Sequence, residues 1–145
     1  MANFAENRKA HFNYEILEKY EAGIELFGYE VKSVKAGHAT LDGTRVLVRG
    51  GEAYIVGMSI SPYQVGNTPP TYDPARTRRL LLKKLEIEAL GAEGERKGLT
   101  IVPLALYSKK SLIKVSVAVV RGKKQFDKRE TIKKRDTDRE LRRSL

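Results

Sequence analysis

The chain is 145 residues long, carries 28 basic and 18 acidic side chains for a net charge of +10, and contains no cysteine. This length predicts a single domain with a sizeable core, and the lack of cysteine excludes disulfides, thiolate catalysis, zinc fingers and iron–sulfur centres. No stretch approaches the roughly 18 apolar residues of a membrane helix, and residues 1–6 lack the apolar core of a signal peptide. We therefore expect a cytoplasmic protein that binds a polyanion and has no membrane partner.

The first half of the chain is predicted to contain strands, one short helix and a loop. Residues 14–26 are typical of an extended arm interrupted at Gly23, and residues 29–35 of a short helix between two glycines. Residues 45–56 hold two strand-like apolar runs separated by a pair of glycines, which favours a tight hairpin turn with positive φ. Four of the five prolines fall in residues 61–74, and this predicts a surface loop.

The second half adds one helix and two further strands. Asp73 precedes a proline and could begin a helix as its N-cap. The apolar face of that helix would be formed by Leu82, Leu85 and Ala89. Residues 100–107 form an apolar run in which Pro103 indicates an edge or a bulge, and residues 113–119 alternate apolar and polar side chains as a half-buried strand does. Six short strands with about three short helices predict a mainly β fold, a small antiparallel six-stranded barrel.

The positive charge is concentrated at the C-terminus. Residues 121–145 carry eleven basic and five acidic side chains, a net charge of +6, and few apolar ones. A segment this polar cannot offset the entropy of its own ordering, yet Glu130 with Lys134 and Asp138 with Arg142 are spaced as helical ion pairs. We expect a body over residues 1–121 and a flexible basic tail over residues 122–145, disordered alone and helical against a partner. A solvated charged appendage is the alternative.

Catalytic signals are few. The two histidines, His11 and His38, lie far apart in sequence and belong to no metal-binding motif, and neither a nucleophile elbow nor a phosphate-binding loop occurs. The acidic residues of the body show no spacing typical of a metal site. We expect no enzyme activity, no metal and no cofactor, with a magnesium-dependent nuclease as a remote alternative.

Signals for nucleic-acid binding are stronger. Arg76, Arg78 and Arg79 lie within four positions, close to Tyr63 and Tyr72. Arginine binds phosphate oxygens bidentately, and tyrosine offers a ring on which an unstacked base can lie. A second basic and aromatic group occurs near the N-terminus, at Asn7, Arg8, Lys9, His11, Phe12 and Tyr14. A general single-stranded RNA-binding or ribosomal-protein-like module is one interpretation.

A more specific interpretation comes from eight motifs that occur in order from residue 7 onward. They include the runs NRKA, YEAGI, GYEVKSV, ISPY, DPARTRRLLL, KGLTIVPL, RGKK and DKRE. Together they resemble the small protein B family, the bacterial proteins that bind transfer-messenger RNA (SsrA RNA). Residues 11–13, His-Phe-Asn, depart from the pattern associated with many members.

The resemblance implies an oligonucleotide-binding (OB)-like barrel without enzyme activity that rescues stalled ribosomes by trans-translation. Such a protein binds the tRNA-like domain of the RNA at its D-loop elbow and substitutes for the missing anticodon arm. Its tail enters the messenger channel and decoding centre and folds there. Elongation factor Tu and the alanine-charged RNA are the further implied partners, and we expect a monomer.

The resemblance also implies roles for individual residues. Asn7 and Glu21 are expected to contact bases or riboses, Leu81 to pack against a base as the exposed leucine of its run, and Lys83 to attract phosphate. Further electrostatic contacts are expected from Arg8, Lys9, Arg76, Arg78 and Arg79. In the tail, Gly122 would act as a hinge, and Asp127 would cap a helix or accept from a base. Ribosomal RNA phosphates would be bound by Lys123, Lys124, Lys128 and Arg129.

Overall fold

The computed structural model describes residues 3–64, 66 and 68–122, so the predictions for residues 123–145 lie outside the described residues. The strands are β1 (Asn3–Glu6), β2 (Tyr14–Ile24), β3 (Ala39–Thr40), β4 (Arg45–Arg49), β5 (Glu52–Val56), β6 (Ser59–Ile60), β7 (Arg78–Leu81), β8 (Leu99–Lys109) and β9 (Leu112–Gly122). The helices are α1 (Arg8–Asn13), α2 (Gly28–Lys35) and α3 (Lys84–Gly94). The mainly β fold with three helices is thus confirmed.

Seven strands form one antiparallel sheet in the order β1-β8-β9-β2-β7-β5-β4, and β3 pairs with β6 in a small second sheet. The long strands β8 and β9 form a hairpin, and β9 pairs with β2 along almost its full length. A register shift between Pro103 and Ala105 places a bulge in β8, as the proline predicted. The central part of the sheet therefore consists of its three longest strands.

Buried side chains are found on both faces of this central part. The larger core joins alternate residues of β9, such as Val115 and Val117, to Val34 of α2 and Leu90 of α3. A smaller cluster on the other residues of the same strands lies under Ala10 of α1. Because side chains alternate across a strand, this arrangement explains why residues 117–120 form an unbroken buried run.

The predicted closed six-stranded barrel is not found in the described residues. The main sheet has seven strands and runs from β1 to β4 without a ladder that joins these edges. Strand β4 lies near β8, and α3 contacts both strands. A cavity of about 580 Å³ lies between α3, β4 and the start of β8, and its lining includes Val46, Val48, Leu90 and Leu99. Helix α3 covers this opening where a barrel would have a hydrogen-bonded seam.

Two details of the predicted helix after Asp73 are wrong. Asp73 accepts a hydrogen bond from the Ala75 backbone N–H (2.9 Å) in a turn that precedes β7, so it begins no helix. Leu85 is 79% exposed, whereas Ile87 and Leu90 are the buried residues of α3. The leucine spacing is misleading because β7 ends at Leu81 and the helix begins only at Lys84, so Leu82 lies outside the helix.

Two hairpin turns differ in chemistry. Gly50 and Gly51 join β4 to β5 with φ of 59° and 79°, as predicted for a glycine pair. Lys110 and Ser111 join β8 to β9 with φ of 49° and 66°, a conformation that glycine or asparagine adopts more readily. The described part of the chain contains no helix long and apolar enough to cross a membrane.

Candidate nucleic-acid interface

The three clustered arginines have different environments. Arg78 is fully buried, Arg76 is three-quarters buried and Arg79 is exposed at 39% of its side chain. Arg76, just before β7, and Arg78 both pair with Glu30, whereas Arg79, the next residue along the strand, points to the other side and pairs with Glu25. The sequence cluster is therefore not a single basic surface.

Arg78 is held entirely by protein groups. Its guanidinium donates to Glu30 Oε2 from Nε (2.8 Å) and Nη2 (2.6 Å), to the Tyr72 hydroxyl (3.1 Å), and to the carbonyls of Met58, Pro74 and Arg76. A guanidinium with no exposed surface cannot reach a phosphate while the protein stays folded. The predicted RNA contact of Arg78 is corrected to a structural role.

Glu30 of α2 is the centre of this buried network. Its carboxylate also accepts from Arg76 Nε (3.2 Å), from the Tyr72 hydroxyl (2.9 Å) and from the backbone N–H of Phe27. Burial opposes its ionisation, but the hydrogen bonds from Arg76, Phe27 and Arg78 outweigh burial and hold the pKa of Glu30 below its ordinary value. Burial and the bond to Glu30 raise the pKa of Tyr72 to about 12.

A groove on the surface of the sheet unites four of the predicted site residues. It has a volume of about 440 Å³, and its lining includes Glu21 of β2, Arg79 and Leu81 of β7, and Lys83. These residues come from two segments about sixty positions apart, which meet because β2 pairs with β7 at Gly23 and Leu81. The fold thus assembles one surface from two separate motifs.

Glu21 is exposed but held in position. It accepts hydrogen bonds from the Tyr107 hydroxyl (2.6 Å) and from Lys109 Nζ (3.1 Å), both on β8. The bonds from Tyr107 and Lys109 lower the pKa of Glu21, and burial together with the bond to Glu21 raises the pKa of Tyr107 to about 12. A carboxylate has about four acceptor positions, so an oriented, ionised acceptor remains for an outside donor.

Leu81 gives the groove an apolar floor. It is 48% exposed, while Leu80 is fully buried and Leu82 packs against the core, as predicted for this run. Leu81 can lie across β2 because Gly23 has no side chain: a Cβ there would stand 3.2 Å from the Leu81 Cβ. Beyond Leu81 a second hollow of about 220 Å³ continues toward Leu112, which is 59% exposed.

The charges in the groove balance. Its acidic residues are Glu21, Glu52 and Glu86, and its basic residues are Arg79, Lys83 and Lys114. Carboxylates repel phosphates but accept hydrogen bonds from base amino and imino groups and from ribose hydroxyls. With an apolar floor for a base, this surface is better suited to reading unstacked nucleotides than to binding a phosphate backbone.

Arg79 takes part in this balance. It pairs with Glu25 of the loop after β2, and its Nη1 lies 3.8 Å from Glu52 Oε1. The pairing with Glu25 raises the pKa of Arg79, so the cation stays charged under any ordinary condition. Arg79 is therefore a positioned donor at the edge of the groove, and its RNA contact stays a prediction.

The N-terminal motif lies elsewhere and divides into two kinds of residue. Asn7 is buried and begins α1: its side-chain oxygen accepts from the Ala10 backbone N–H (3.2 Å) and its amide donates to the Pro103 carbonyl (2.9 Å). Arg8, with 92% of its side chain exposed, and Lys9 project into solvent. Asn7 thus fixes the helix that presents the two cations.

The start of the predicted tail adjoins this helix. Gly122, the last residue described, pairs with Tyr14 at the end of β9, immediately after α1. The other predicted tail residues, Lys123, Lys124, Asp127, Lys128 and Arg129, lie outside the described residues. The last described residue therefore lies next to the C-terminal end of α1.

Sequence reasoning missed several members of the groove. Tyr107, Lys109 and Lys114 come from the β8–β9 hairpin, and Glu52 and Glu86 complete the acidic set. The alternation of residues 113–119 did place Lys114 on the face opposite Val115, but only the pairing of β9 with β2 places it beside Glu21. Among the described residues no cluster of histidine, aspartate and glutamate could hold a metal ion.

Comparison with known proteins identifies the family. The family model described as "SmpB protein" matches residues 4–145. The chain belongs to the SmpB family. It is 50% identical over 140 residues to the SsrA-binding protein of Gloeothece citriformis, covering 97% of this chain and 90% of that protein. It is 49% identical to the SsrA-binding protein of Pseudomonas putida, covering 97% and 88%.

A solved SmpB structure has the same fold. A chain from "tmRNA-SmpB: a journey to the center of the bacterial ribosome" aligns with a TM-score of 0.69 at 45% identity, covering 83% of this chain and 84% of that chain. The family membership predicted from the eight motifs is therefore confirmed.

Proposed function

We propose that this chain binds SsrA RNA, the transfer-messenger RNA, and acts in trans-translation on stalled ribosomes. The observation that supports this most directly is the groove in which Glu21, Arg79, Leu81 and Lys83 meet, in a member of the SmpB family. Its relatives are named for binding this RNA. The proposed protein is a cytoplasmic, monomeric adaptor with no enzyme activity and no cofactor.

The groove is proposed to recognise the tRNA-like domain at its D-loop elbow, in place of an anticodon arm. An RNA elbow presents unstacked bases and ribose hydroxyls, and these are the groups that an oriented carboxylate and an apolar floor can bind. Glu21 accepts from a base or ribose, Leu81 packs against a base, and Lys83 attracts a nearby phosphate. The curved, open sheet serves here as the OB-like platform.

Basic residues outside the groove are proposed to provide affinity. Arg8 and Lys9 on α1 and the exposed quarter of the Arg76 side chain are proposed to attract phosphates, whereas Asn7 acts through α1 rather than by direct contact. The tail, residues 122–145, is proposed to enter the messenger channel and decoding centre with Gly122 as its hinge. Elongation factor Tu and the alanine-charged RNA complete the proposed assembly.

A mobility-shift assay tests the RNA preference. The full chain is titrated against the isolated tRNA-like domain, an ordinary tRNA and a single-stranded homopolymer at two salt concentrations. We expect the tightest binding to the tRNA-like domain, with affinity falling as salt rises. Equal binding to the homopolymer would identify a general single-stranded RNA module instead, and magnesium-dependent loss of intact RNA would indicate a nuclease.

Deletion of residues 123–145 tests the division between body and tail. The truncated chain keeps the whole groove, so we expect binding of the tRNA-like domain within a few-fold of the full chain. Peptide tagging on stalled ribosomes, measured in a reconstituted translation reaction, should be lost. Loss of both properties would contradict the division.

A further inference from the structure

One surface region of α2 lies away from the balanced charges of the groove. A hollow of about 370 Å³ is lined by Gly28, Tyr29 and Lys32 of α2 and by Tyr63, Gln64 and Thr68 of the loop after β6. Tyr63 is 49% exposed. We propose that this hollow, the α2 pocket, binds one unstacked nucleotide of an RNA strand, its base against the tyrosines and its phosphate at Lys32.

The two tyrosine rings of the α2 pocket each contact other aromatic side chains. Tyr29 is held by Tyr72, whose ring meets it edge-on at 5.2 Å between centroids, and by Phe27 at 5.4 Å. Tyr63 stands beside His38 at 5.9 Å and is otherwise open to solvent. Stacking on such rings is the main sequence-tolerant way in which proteins bind unstacked bases.

The charge of the α2 pocket differs from that of the groove. None of its six lining residues is acidic, and Lys32 is exposed at its wall. The acidic residue of α2, Glu30, is buried and neutralised by Arg76 and Arg78. A phosphodiester that the carboxylates of the groove would repel meets a net positive surface here.

A continuous line of contacts connects the two sites. Arg79 at the edge of the groove pairs with Glu25, and Arg76 donates to the Glu25 carbonyl (3.5 Å). The Arg76 guanidinium lies 4.1 Å above the Phe27 ring, a cation–π contact that leaves a flat shelf. Phe27, 48% exposed, adjoins Tyr29 of the α2 pocket. One strand can therefore follow the surface from the groove to the α2 pocket.

This inference rests on the proposed function, and the strand could belong to SsrA RNA or to ribosomal RNA. The test is made with the full chain and two probes: full-length SsrA RNA, and ribosomes stalled on a message without a stop codon. Tyr63→Leu removes the ring, and Tyr63→Phe is the matched control that keeps it. Because Tyr63 is half exposed, we expect both variants to have the melting temperature of the wild-type protein.

We expect Tyr63→Leu to weaken binding to one probe by about 5- to 100-fold, as for loss of one stacked base, and Tyr63→Phe to change it less than about twofold. The affected probe identifies the source of the nucleotide. Lys32→Gln should lower the slope of log affinity against log salt for the same probe by about one, whereas Lys97→Gln, in a distant loop, should not.

Ultraviolet crosslinking of the wild-type protein gives an independent readout. We expect an RNA nucleotide attached to Tyr63 or Tyr29 in peptide mass spectra. The proposal for the α2 pocket would be overturned if these tyrosines crosslinked only to a ribosomal protein. It would also be overturned if the wild-type protein and Tyr63→Leu bound both probes equally. If the wild-type chain prefers SsrA RNA and Tyr63→Leu is unaffected, the α2 pocket fails while the proposed function stands. If the wild-type chain shows no preference, the proposed function itself fails.

Discussion

Glu30 and Glu21 have nearly the same partners and opposite surroundings. Each carboxylate accepts from a tyrosine hydroxyl and from a cation: Tyr72 and Arg78 for Glu30, Tyr107 and Lys109 for Glu21. Glu30 has no exposed side-chain surface, whereas 38% of the Glu21 side chain is exposed. The comparison shows that the same kinds of hydrogen-bond partner can hold a carboxylate that is closed to outside partners or one that an outside donor can reach.

The two sites also differ in how their acceptor positions are used. Donors from Arg76, Arg78, Tyr72 and a backbone N–H surround Glu30. Glu21 receives two donors and lies at the wall of a groove. We therefore expect mutations of Glu30 to change folding and mutations of Glu21 to change RNA binding.

The largest expected effect is on stability. Glu30→Gln leaves the buried guanidinium of Arg78 without its counter-charge, and breaking a buried ion pair from one side costs about 3–5 kcal/mol. Urea unfolding followed by circular dichroism measures this loss, with Glu21→Gln as the matched control whose midpoint should stay near wild type. If the urea midpoint of Glu30→Gln were close to that of Glu21→Gln, the expectation that Glu30, unlike Glu21, is needed for stability would be wrong.

The next effect is on RNA affinity. Glu21→Gln replaces a charged acceptor by a neutral amide, and we expect binding of the tRNA-like domain to weaken by about 10- to 100-fold, the range for hydrogen bonds to charged groups. Filter binding at fixed salt measures the change, and Glu18→Gln on the same strand is the control. If the affinities of Glu21→Gln and Glu18→Gln agree, recognition does not depend on the groove carboxylate.

The smallest effect is spectroscopic. Tyr72 and Tyr107 both have a pKa raised to about 12, so their neutral forms are favoured in the folded state. The stability linked to them is present below the ordinary tyrosine pKa of about 10 and is lost as pH rises from there toward 12. In Glu21→Gln, absorbance titration should show one tyrosine titrating at lower pH while Tyr72 stays unchanged. A simultaneous shift of both would mean that the two networks are coupled.

Local features were predictable from the sequence. The Gly50–Gly51 turn follows from backbone sterics, and the bulge at Pro103 follows from the missing N–H. The exposed position of Leu81 follows from alternation within a run of three leucines. The resemblance to the family singled out Glu21, Leu81 and Lys83 as RNA contacts, and the structure places all three in one groove, an arrangement that spacing alone does not reveal.

Features that depend on distant partners were not predictable. Arg78 looked like its neighbours, and only Glu30, 48 positions earlier, makes it a core residue. Asn7 looked like a polar contact until the Pro103 carbonyl, 96 positions away, was found to accept from it. The closed barrel was inferred from strand content, but the placement of α3 between β4 and β8 is a matter of packing.

The turn at Lys110 and Ser111 has a consequence for recognition, although neither residue lines the groove. It fixes the alignment of β8 with β9, and Tyr107 and Lys109 reach Glu21 only because they occupy alternate positions of one aligned strand. An offset of a single residue would turn both side chains to the opposite face of the sheet. We therefore expect insertion of one amino acid in this turn to weaken RNA selection by the proposed site, although the side chains that line the groove are unchanged.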